Sequence, residues 1–215
     1  EVRLKKSIAR LWKSDRVGSA AGAVFFAFWI GQRYYFSYRP TFLWWLVTFQ
    51  FTLFVLAYLT RYPAREHARG FWETVYPFLC AALPFALDHY PFKPQGPAVA
   101  PAAVYLGLML TGTLLIIAGV FFLRRSFAIM TEVRPPVYGG VYRLTRHPMY
   151  LGSVVASTGL VLFNFSRLNL GILVVFGLMQ YVRARREEAK IAAHFPEYAA
   201  YAARVGWVWR WGRRK

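Results

Sequence analysis

Long apolar stretches constrain the fold of this 215-residue chain more than any motif does. A helix needs about 20 apolar residues to cross the hydrocarbon core of a bilayer. Four stretches come near that length or exceed it, and two shorter ones follow: 17–32, 41–60, 71–87, 99–123, 149–165 and 168–182. Only 17% of the residues are charged, against about 25% in soluble domains. The sequence predicts an all-α, polytopic transmembrane helix bundle of five to six spans, forming a single integral membrane domain over 1–215.

The last two apolar stretches are separated only by Ser166 and Arg167. A connection this short makes neighbouring helices antiparallel, so we expect a hairpin. The hairpin places the start of the fifth stretch and the end of the sixth on the same side of the membrane. Length alone leaves open whether the pair crosses completely or is re-entrant.

Basic residues are distributed unevenly between the predicted loops. If all six stretches cross, one side collects 23 lysines and arginines and the other side collects 4. By the positive-inside rule, the chain is a multi-pass protein of the cytoplasmic membrane, with both its N- and C-termini in the cytoplasm. Because membrane topology already accounts for the net charge of +18, we do not predict a nucleic-acid partner.

Cysteine and histidine usage argues against a disulfide or a metal site. The lone Cys80 lies in an apolar stretch and excludes an intrachain disulfide. The four histidines show no metal-ligand spacing: His67, His89, His147 and His194. We therefore predict no metal site.

The tail at 187–205 has apolar residues at three- and four-residue spacing, which is typical of one face of an amphipathic helix. These residues are Ile191, Phe195, Tyr198, Tyr201 and Val205. We expect a C-terminal cytoplasmic amphipathic helix, broken near Pro196 because proline cannot continue the backbone ladder. The tryptophan-rich end that follows suits an anchor at the membrane interface.

Two polar clusters flank the predicted hairpin. Residues 134–150 read R-P-P-V-Y-G-G-V-Y-R-L-T-R-H-P-M-Y, and their prolines and glycines exclude a regular helix. Irregular backbone at a membrane must be buried in protein or line a cavity. In the second cluster, Arg183 and Glu187 share one helical face. Taken separately, the first cluster also fits an interfacial turn and the second a solvated ion pair.

The two clusters together resemble a known family. The runs that carry the resemblance are R-S-F at 125–127, V-Y-G-G-V-Y-R-L-T-R-H-P-M-Y-L-G at 137–152, R-x-x-x-E-E-x-x-I at 183–191 and F-P-E-Y-x-x-Y-x-x-x-V at 195–205. They are similar to the isoprenylcysteine carboxyl methyltransferases and their phospholipid methyltransferase relatives. The resemblance implies N-terminal transmembrane helices over 1–123 and a cofactor-binding catalytic part over 124–215.

The resemblance also implies a cofactor and site residues. The cofactor would be S-adenosyl-L-methionine, held by residues of both clusters: Arg134, Pro135, Pro136, Val137, Tyr142, His147, Pro148, Met149, Tyr150 and Glu187. Arg183, matching the arginine near the substrate carboxylate, and Glu187 would be the catalytic residues. The acceptor would be lipophilic, a prenyl or lipid substrate among the membrane lipids, with an isoprenylcysteine-type carboxylate favoured.

The chemistry of the donor limits what the protein must supply. A sulfonium methyl is already activated, so the protein mainly provides positioning. A carboxylate or thiolate acceptor needs no general base, whereas an amine must lose a proton, for which Glu187 and Glu188 are the nearby candidates. The sequence therefore leaves O-, N- and S-methylation open, as it does the oligomeric state.

Two other functions remain open at this point. One is a membrane oxidoreductase resembling sterol reductases, which would use NADPH. The other is a non-enzymatic membrane protein of the same fold. Binding of S-adenosylhomocysteine, of a nicotinamide cofactor or of neither would distinguish the three.

Overall fold

The computed structural model of the protein describes residues 2–36, 41–87 and 97–207, with side chains from residue 16 onward. His89, the basic side chains before residue 16 and the tryptophan-rich end beyond residue 207 lie outside the described residues. Within them the chain forms helices, and its β structure is one isolated antiparallel bridge between Glu66 and Val133. The predicted all-α class is confirmed for this part of the chain.

The helices are α1 (Val2–Phe36), α2 (Phe42–Thr60), α3 (Gly70–Glu73), α4 (Val75–Ala82), α5 (Ala102–Leu123), α6 (Pro148–Phe163), α7 (Arg167–His194) and α8 (Tyr198–Arg204). Short 3₁₀ turns lie at Leu83–Leu87, Arg124–Ser126 and Gly140–Arg143.

Two helical segments of the described residues are long and apolar enough to cross a membrane, Phe42–Thr60 and Ala102–Ser126. Val75–Leu87 and Pro148–Phe163 are apolar but shorter. A total of five to six spans therefore stays a prediction.

The stretch predicted as a third span is not one continuous helix. Its backbone breaks at Thr74, between α3 and α4, and tightens into the 3₁₀ turn after Ala82. Pro77 lies in the first turn of α4, where the missing N–H is not needed, and Pro84 lies in the 3₁₀ turn. The prolines are thus accommodated by dividing the segment rather than by bending it.

Helices α5 and α6 approach each other so closely that glycine is required at the contact. A Cβ at Gly112 would lie 2.5 Å from the carbonyl oxygen of Gly152, and a Cβ at Gly152 would lie 2.6 Å from that of Gly112. A Cβ at Gly159 would lie 2.6 Å from the carbonyl oxygen of Tyr105. Small residues allow membrane helices to pack backbone against backbone. This contact fixes the position of α6.

An aromatic core joins the first two helices to the segment that follows α5. Phe26 of α1 and Phe54 of α2 have ring centroids 4.6 Å apart, and Phe54 stacks on the buried Phe127 at 5.2 Å. The backbone N–H of Ile129 donates to the Tyr58 hydroxyl at 3.1 Å. The stretch 124–129 is thereby held against α2, where it contributes to the site described below.

Charged residues tie three segments together at the same end of the bundle. Glu132 accepts from Arg61 at 3.1 Å and from Arg134 at 2.6 Å. Lys190 of α7 lies 2.7 Å from the Glu73 carboxylate, and His194 Nε2 lies 2.9 Å from a Glu66 oxygen. The α2–α3 connection, the 130–134 segment and the end of α7 therefore form one layer.

The predicted amphipathic tail helix is divided between the end of α7 and α8. The helix α7 ends at His194, and α8 begins at Tyr198, so the interruption lies at Pro196. Four of the apolar tail residues pack with Val133 in one buried cluster: Phe195, Tyr198, Tyr201 and Val205. The tail thus folds back over the 130–142 region.

We predict that Gly112→Val destabilises the protein, because the new side chain would push apart the α5–α6 backbones. Overpacking of a tight contact typically costs about 1–3 kcal/mol. The control is Gly107→Val in the same helix, where a Cβ meets nothing within 4 Å. Thermal unfolding in detergent should show a lower midpoint for Gly112→Val only. Equal midpoints for both variants would contradict the packing described here.

Candidate functional site

The α6–α7 hairpin brings the two polar clusters into contact. The turn at Asn164–Ser166 is fixed by Ser166, whose hydroxyl accepts from the Asn169 backbone N–H at 3.0 Å. At the opposite end of the pair, His147 Nε2 lies 2.9 Å from Glu188 Oε1. The start of α6 and the end of α7 therefore lie side by side, as the hairpin prediction requires.

His147 is fixed on several sides. It is the residue preceding α6, and Pro148 takes the first helical position, where proline is favoured. Its ring lies parallel to that of Tyr150, with centroids 5.3 Å apart, and contacts Trp207 at 4.9 Å. The Trp207 carbonyl accepts from the Thr145 hydroxyl at 2.5 Å. The end of the described chain thus covers one side of His147.

Glu188 is the carboxylate that joins the two clusters. Its Oε1 accepts from both His147 and Arg146, each at 2.9 Å. Burial raises the pKa of Glu188, but the hydrogen bond and charge interaction with His147, together with the Arg146 charge, outweigh it. The pKa of this carboxyl therefore lies below its ordinary value. Glu188 therefore connects the end of α7 to the segment before α6 as a charged carboxylate.

Glu187 and Arg183 have partners of their own rather than each other. The Tyr150 hydroxyl donates to Glu187 Oε2. Arg183 is buried, donates to the Ile129 carbonyl oxygen, and has its guanidinium carbon 4.8 Å from the Tyr150 ring centroid. The alternative of a solvated Arg183–Glu187 ion pair is therefore wrong. Both side chains converge on Tyr150.

Tyrosines close the site on the side of α8. The Tyr201 hydroxyl donates to the Tyr142 carbonyl oxygen at 2.7 Å, and the Tyr142 hydroxyl lies 3.4 Å from the Gly119 carbonyl oxygen. Burial raises the pKa of Tyr142, and it raises the pKa of Tyr201 to about 12. Both phenols are therefore neutral near pH 7 and act as donors. The tight turn before Tyr142 uses Gly140 at a φ of +57°.

One continuous cavity of about 720 Å³ reaches from this cluster into the helix bundle. Most of the residues proposed from the sequence line it: Pro136, Val137, Tyr142, His147, Pro148, Met149, Tyr150, Arg183 and Glu187. Arg134 and Pro135 are not among its lining residues, and Arg134 is instead paired with Glu132. The proposed site residues therefore differ in position: most line the cavity, whereas Arg134 belongs to an ion pair outside its wall.

Several lining residues were not proposed as site residues from the sequence. Arg146, Tyr198 and Tyr201 line the polar end, and Ser153 and Gln180 lie deeper. The three- and four-residue spacing of the tail predicted a buried face for Tyr198 and Tyr201, but not that this face meets a cavity. Ser153 and Gln180 carried a different signal, since each is a polar residue inside an apolar stretch.

The deeper part of the cavity is apolar and lies between helices of both halves of the chain. Its wall includes Phe26 of α1, Phe51 and Phe54 of α2, Ile116 of α5 and Leu160 of α6. This wall can hold a hydrocarbon chain, since burying apolar surface is worth about 25 cal/mol per Å². The cavity therefore combines a polar end with an apolar interior.

Among the described residues there is no group of three or more His, Cys, Asp or Glu side chains placed to bind a metal ion.

Comparison with known proteins identifies this part of the chain. Residues 98–197 match the family model described as phospholipid methyltransferase. This segment is similar to the phospholipid methyltransferase family. The family resemblance stated from the sequence is thereby confirmed over this segment. The family match and the two long apolar helices together indicate a membrane protein.

A curated relative is the cobalt-zinc-cadmium resistance protein CzcN of Cupriavidus metallidurans. It is 31% identical over 144 residues, which cover 65% of this chain and 62% of the relative. The chain therefore spans less than two thirds of the length of the relative it matches.

We predict that the Glu188 bridge stabilises the fold in a pH-dependent way. Because the folded-state pKa of Glu188 is lowered from 4.5, its stabilisation is fully present above pH 4.5 and is lost as the pH falls through the lower, folded value. Thermal unfolding of wild type and Glu188→Gln should differ at pH 7 and converge below pH 4.5. Glu197→Gln, at an exposed position, should track wild type throughout. If the unfolding midpoints of wild type and Glu188→Gln differed by the same amount at every pH, this role would be contradicted.

Proposed function

We propose that the protein transfers a methyl group from S-adenosyl-L-methionine to a lipid-like or amphiphilic acceptor. The observation that supports this most is the single cavity that joins the polar cluster of His147, Tyr150, Arg183 and Glu187 to an apolar space between the helices. A polar cofactor and an apolar acceptor can meet only where such environments adjoin. The residues resembling isoprenylcysteine carboxyl methyltransferases favour a carboxylate at the end of a prenyl-type chain.

The side chains at the polar end fit the cofactor chemically. The parallel rings of His147 and Tyr150 form an aromatic wall, and Glu187 offers a carboxylate for hydroxyl or ammonium groups. When bound, S-adenosyl-L-methionine supplies an activated methyl whose bonding electrons remain on sulfur as an acceptor oxygen takes the carbon. Tyr142 and Tyr201 limit the access of water from the side of α8.

Arg183 is the residue best placed to hold an acceptor carboxylate. It is buried and lines the cavity, with Gln180 of the same helix one turn deeper and the apolar wall beyond it. A guanidinium binds a carboxylate with paired hydrogen bonds and fixes its orientation. Since a carboxylate is already a nucleophile, the protein needs only to position it in a dry site.

The charge distribution supports a multi-pass arrangement with both termini and the polar end of the cavity at the cytoplasmic side. The cofactor would then enter from water, and prenyl or lipid acceptors would enter laterally from the bilayer. Membrane lipids are thus both the surroundings and a source of substrate.

Accessibility labelling of single cysteines introduced at Arg167 and Arg185 should modify the Arg185 position from the cytoplasm only.

We predict that S-adenosylhomocysteine binds the purified protein and that NADPH does not. His147→Ala should weaken this binding by about tenfold or more, because it removes one ring of the aromatic wall and the partner of Glu188. Isothermal titration in detergent measures both. Binding of NADPH would favour the reductase-like function, and binding of neither would favour a non-enzymatic protein.

We predict that Arg183→Ala and Glu187→Ala each lower turnover by at least about 100-fold, since a misplaced reactant loses rate on that scale. The control is Arg185→Ala, which changes an exposed arginine of the same helix. Methylation is followed by mass spectrometry of lipid extracts and of N-acetyl-S-farnesyl-L-cysteine, using isotopically labelled donor. Rates near wild type in both variants would remove these residues from the mechanism.

A further inference from the structure

A surface of mixed character lies where the end of α5 meets the 3₁₀ turn Gly140–Arg143. The turn packs on the helix so closely that a Cβ at Gly140 would lie 2.2 Å from the Phe122 ring. The exposed side chains here are of two kinds, three apolar and two basic: Phe121, Phe122, Leu144, Arg124 and Arg143. None of them lines the cavity. We call these five residues the α5-end patch.

The backbone at Arg124 is strained. Its φ is +48° and its ψ is −118°, a conformation that glycine adopts freely and that a residue with a Cβ avoids. Among the described residues it is the one non-glycine residue with a positive φ. Strain of this kind concentrates at functional sites. Since glycine would turn the chain here without strain, what the arginine adds is its side chain.

The guanidinium groups of Arg124 and Arg143 are not used within the described part of the chain. Neither has a hydrogen-bond or ion-pair partner there, and the guanidinium carbon of Arg124 lies 5.8 Å from the Phe121 ring centroid. Arg125 differs, because its Nε donates to the Thr60 carbonyl oxygen at 2.7 Å. Arg125 therefore joins the end of α5 to α2, whereas Arg124 and Arg143 can bind a molecule from outside.

The position of the patch fits the surface of one bilayer leaflet. The apolar segment Ala102–Ser126 is long enough to cross a membrane, and it ends at the patch. Exposed phenylalanine and leucine side chains suit the acyl region, and arginine side chains at the end of a span reach out to the lipid phosphates. In the proposed topology this is the cytoplasmic leaflet, where anionic headgroups attract basic side chains.

We propose that the α5-end patch binds an anionic phospholipid, with Arg124 and Arg143 on the phosphate and the apolar side chains against the acyl chains. A guanidinium donates paired hydrogen bonds to a phosphate, so two arginines hold one headgroup in a fixed position. The lipid is a bound partner and not a methyl acceptor, since the patch lies outside the cavity. Its binding holds the turn that carries Tyr142, and with it one wall of the cavity.

Lipid binding to the purified, delipidated protein tests the proposal without cofactor or acceptor. Native mass spectrometry gives dissociation constants for phosphatidylglycerol and for phosphatidylcholine with the same acyl chains. Wild type should bind phosphatidylglycerol at least about tenfold more tightly. Arg124→Ala and Arg143→Ala should each lower this preference about fivefold, as expected for one arginine at a membrane surface. Arg185→Ala removes the same charge from an exposed position on α7 and should leave the preference unchanged.

A second measurement separates lipid binding from a structural role of Arg124. If the arginine only capped the end of α5, Arg124→Gly would unfold at a lower temperature in lipid-free detergent. We expect a midpoint no lower than that of wild type, because glycine relieves the strain. Phosphatidylglycerol should then raise the wild-type midpoint by about 2–4 °C more than the Arg124→Gly midpoint. Inorganic phosphate should raise neither.

Four outcomes would each overturn the inference. They are an unchanged lipid preference in Arg124→Ala, an equal loss of preference in Arg185→Ala, a lower midpoint of Arg124→Gly without lipid, and an effect of inorganic phosphate as large as that of the lipid. All four are independent of methyl transfer. Failure of wild type to bind S-adenosylhomocysteine would therefore count against the proposed function alone.

Discussion

The shared carboxylate of Glu188 is the interaction on which the site depends. It accepts from Arg146 and His147 at once, and so joins the irregular segment before α6 to the end of α7. An unpaired charge in such a buried place would be strongly destabilising. Because two donors satisfy it, the start of α6 is held in one position, and the ring of His147 is aligned with that of Tyr150.

Two adjacent carboxylates on α7 thereby serve different purposes. Successive residues on a helix point about 100° apart, so Glu188 faces the segment at 145–147 while Glu187 faces Tyr150 and the cavity. Arg183, one turn before Glu187, faces the same cavity. Glu188 is thus occupied by structural contacts, whereas Glu187 lines the cavity, where we propose that it meets a ligand.

The cavity itself results from uneven packing between the helices. The α5–α6 pair is held at backbone contact by Gly112 and Gly152, whereas α1, α2 and α4 meet this pair through large aromatic side chains. Rings pack less closely than glycine faces, and an apolar space remains between the two groups of helices. Because Arg183 and the apolar wall line the same cavity, the polar and apolar environments share one continuous volume.

The sequence by itself determined the all-α class, the hairpin and the family resemblance, because hydropathy, short connections and local motifs are properties of neighbouring residues. Helical spacing also indicated which residues share a face. Only the tertiary structure decided which partner each face meets: Glu188 rather than Glu187 for His147, Glu132 for Arg134, and a cavity for Gln180. Some of these pairings join residues that are distant in sequence, and the others depend on how the chain folds locally. Their geometry depends on how closely the helices pack, which periodicity does not encode.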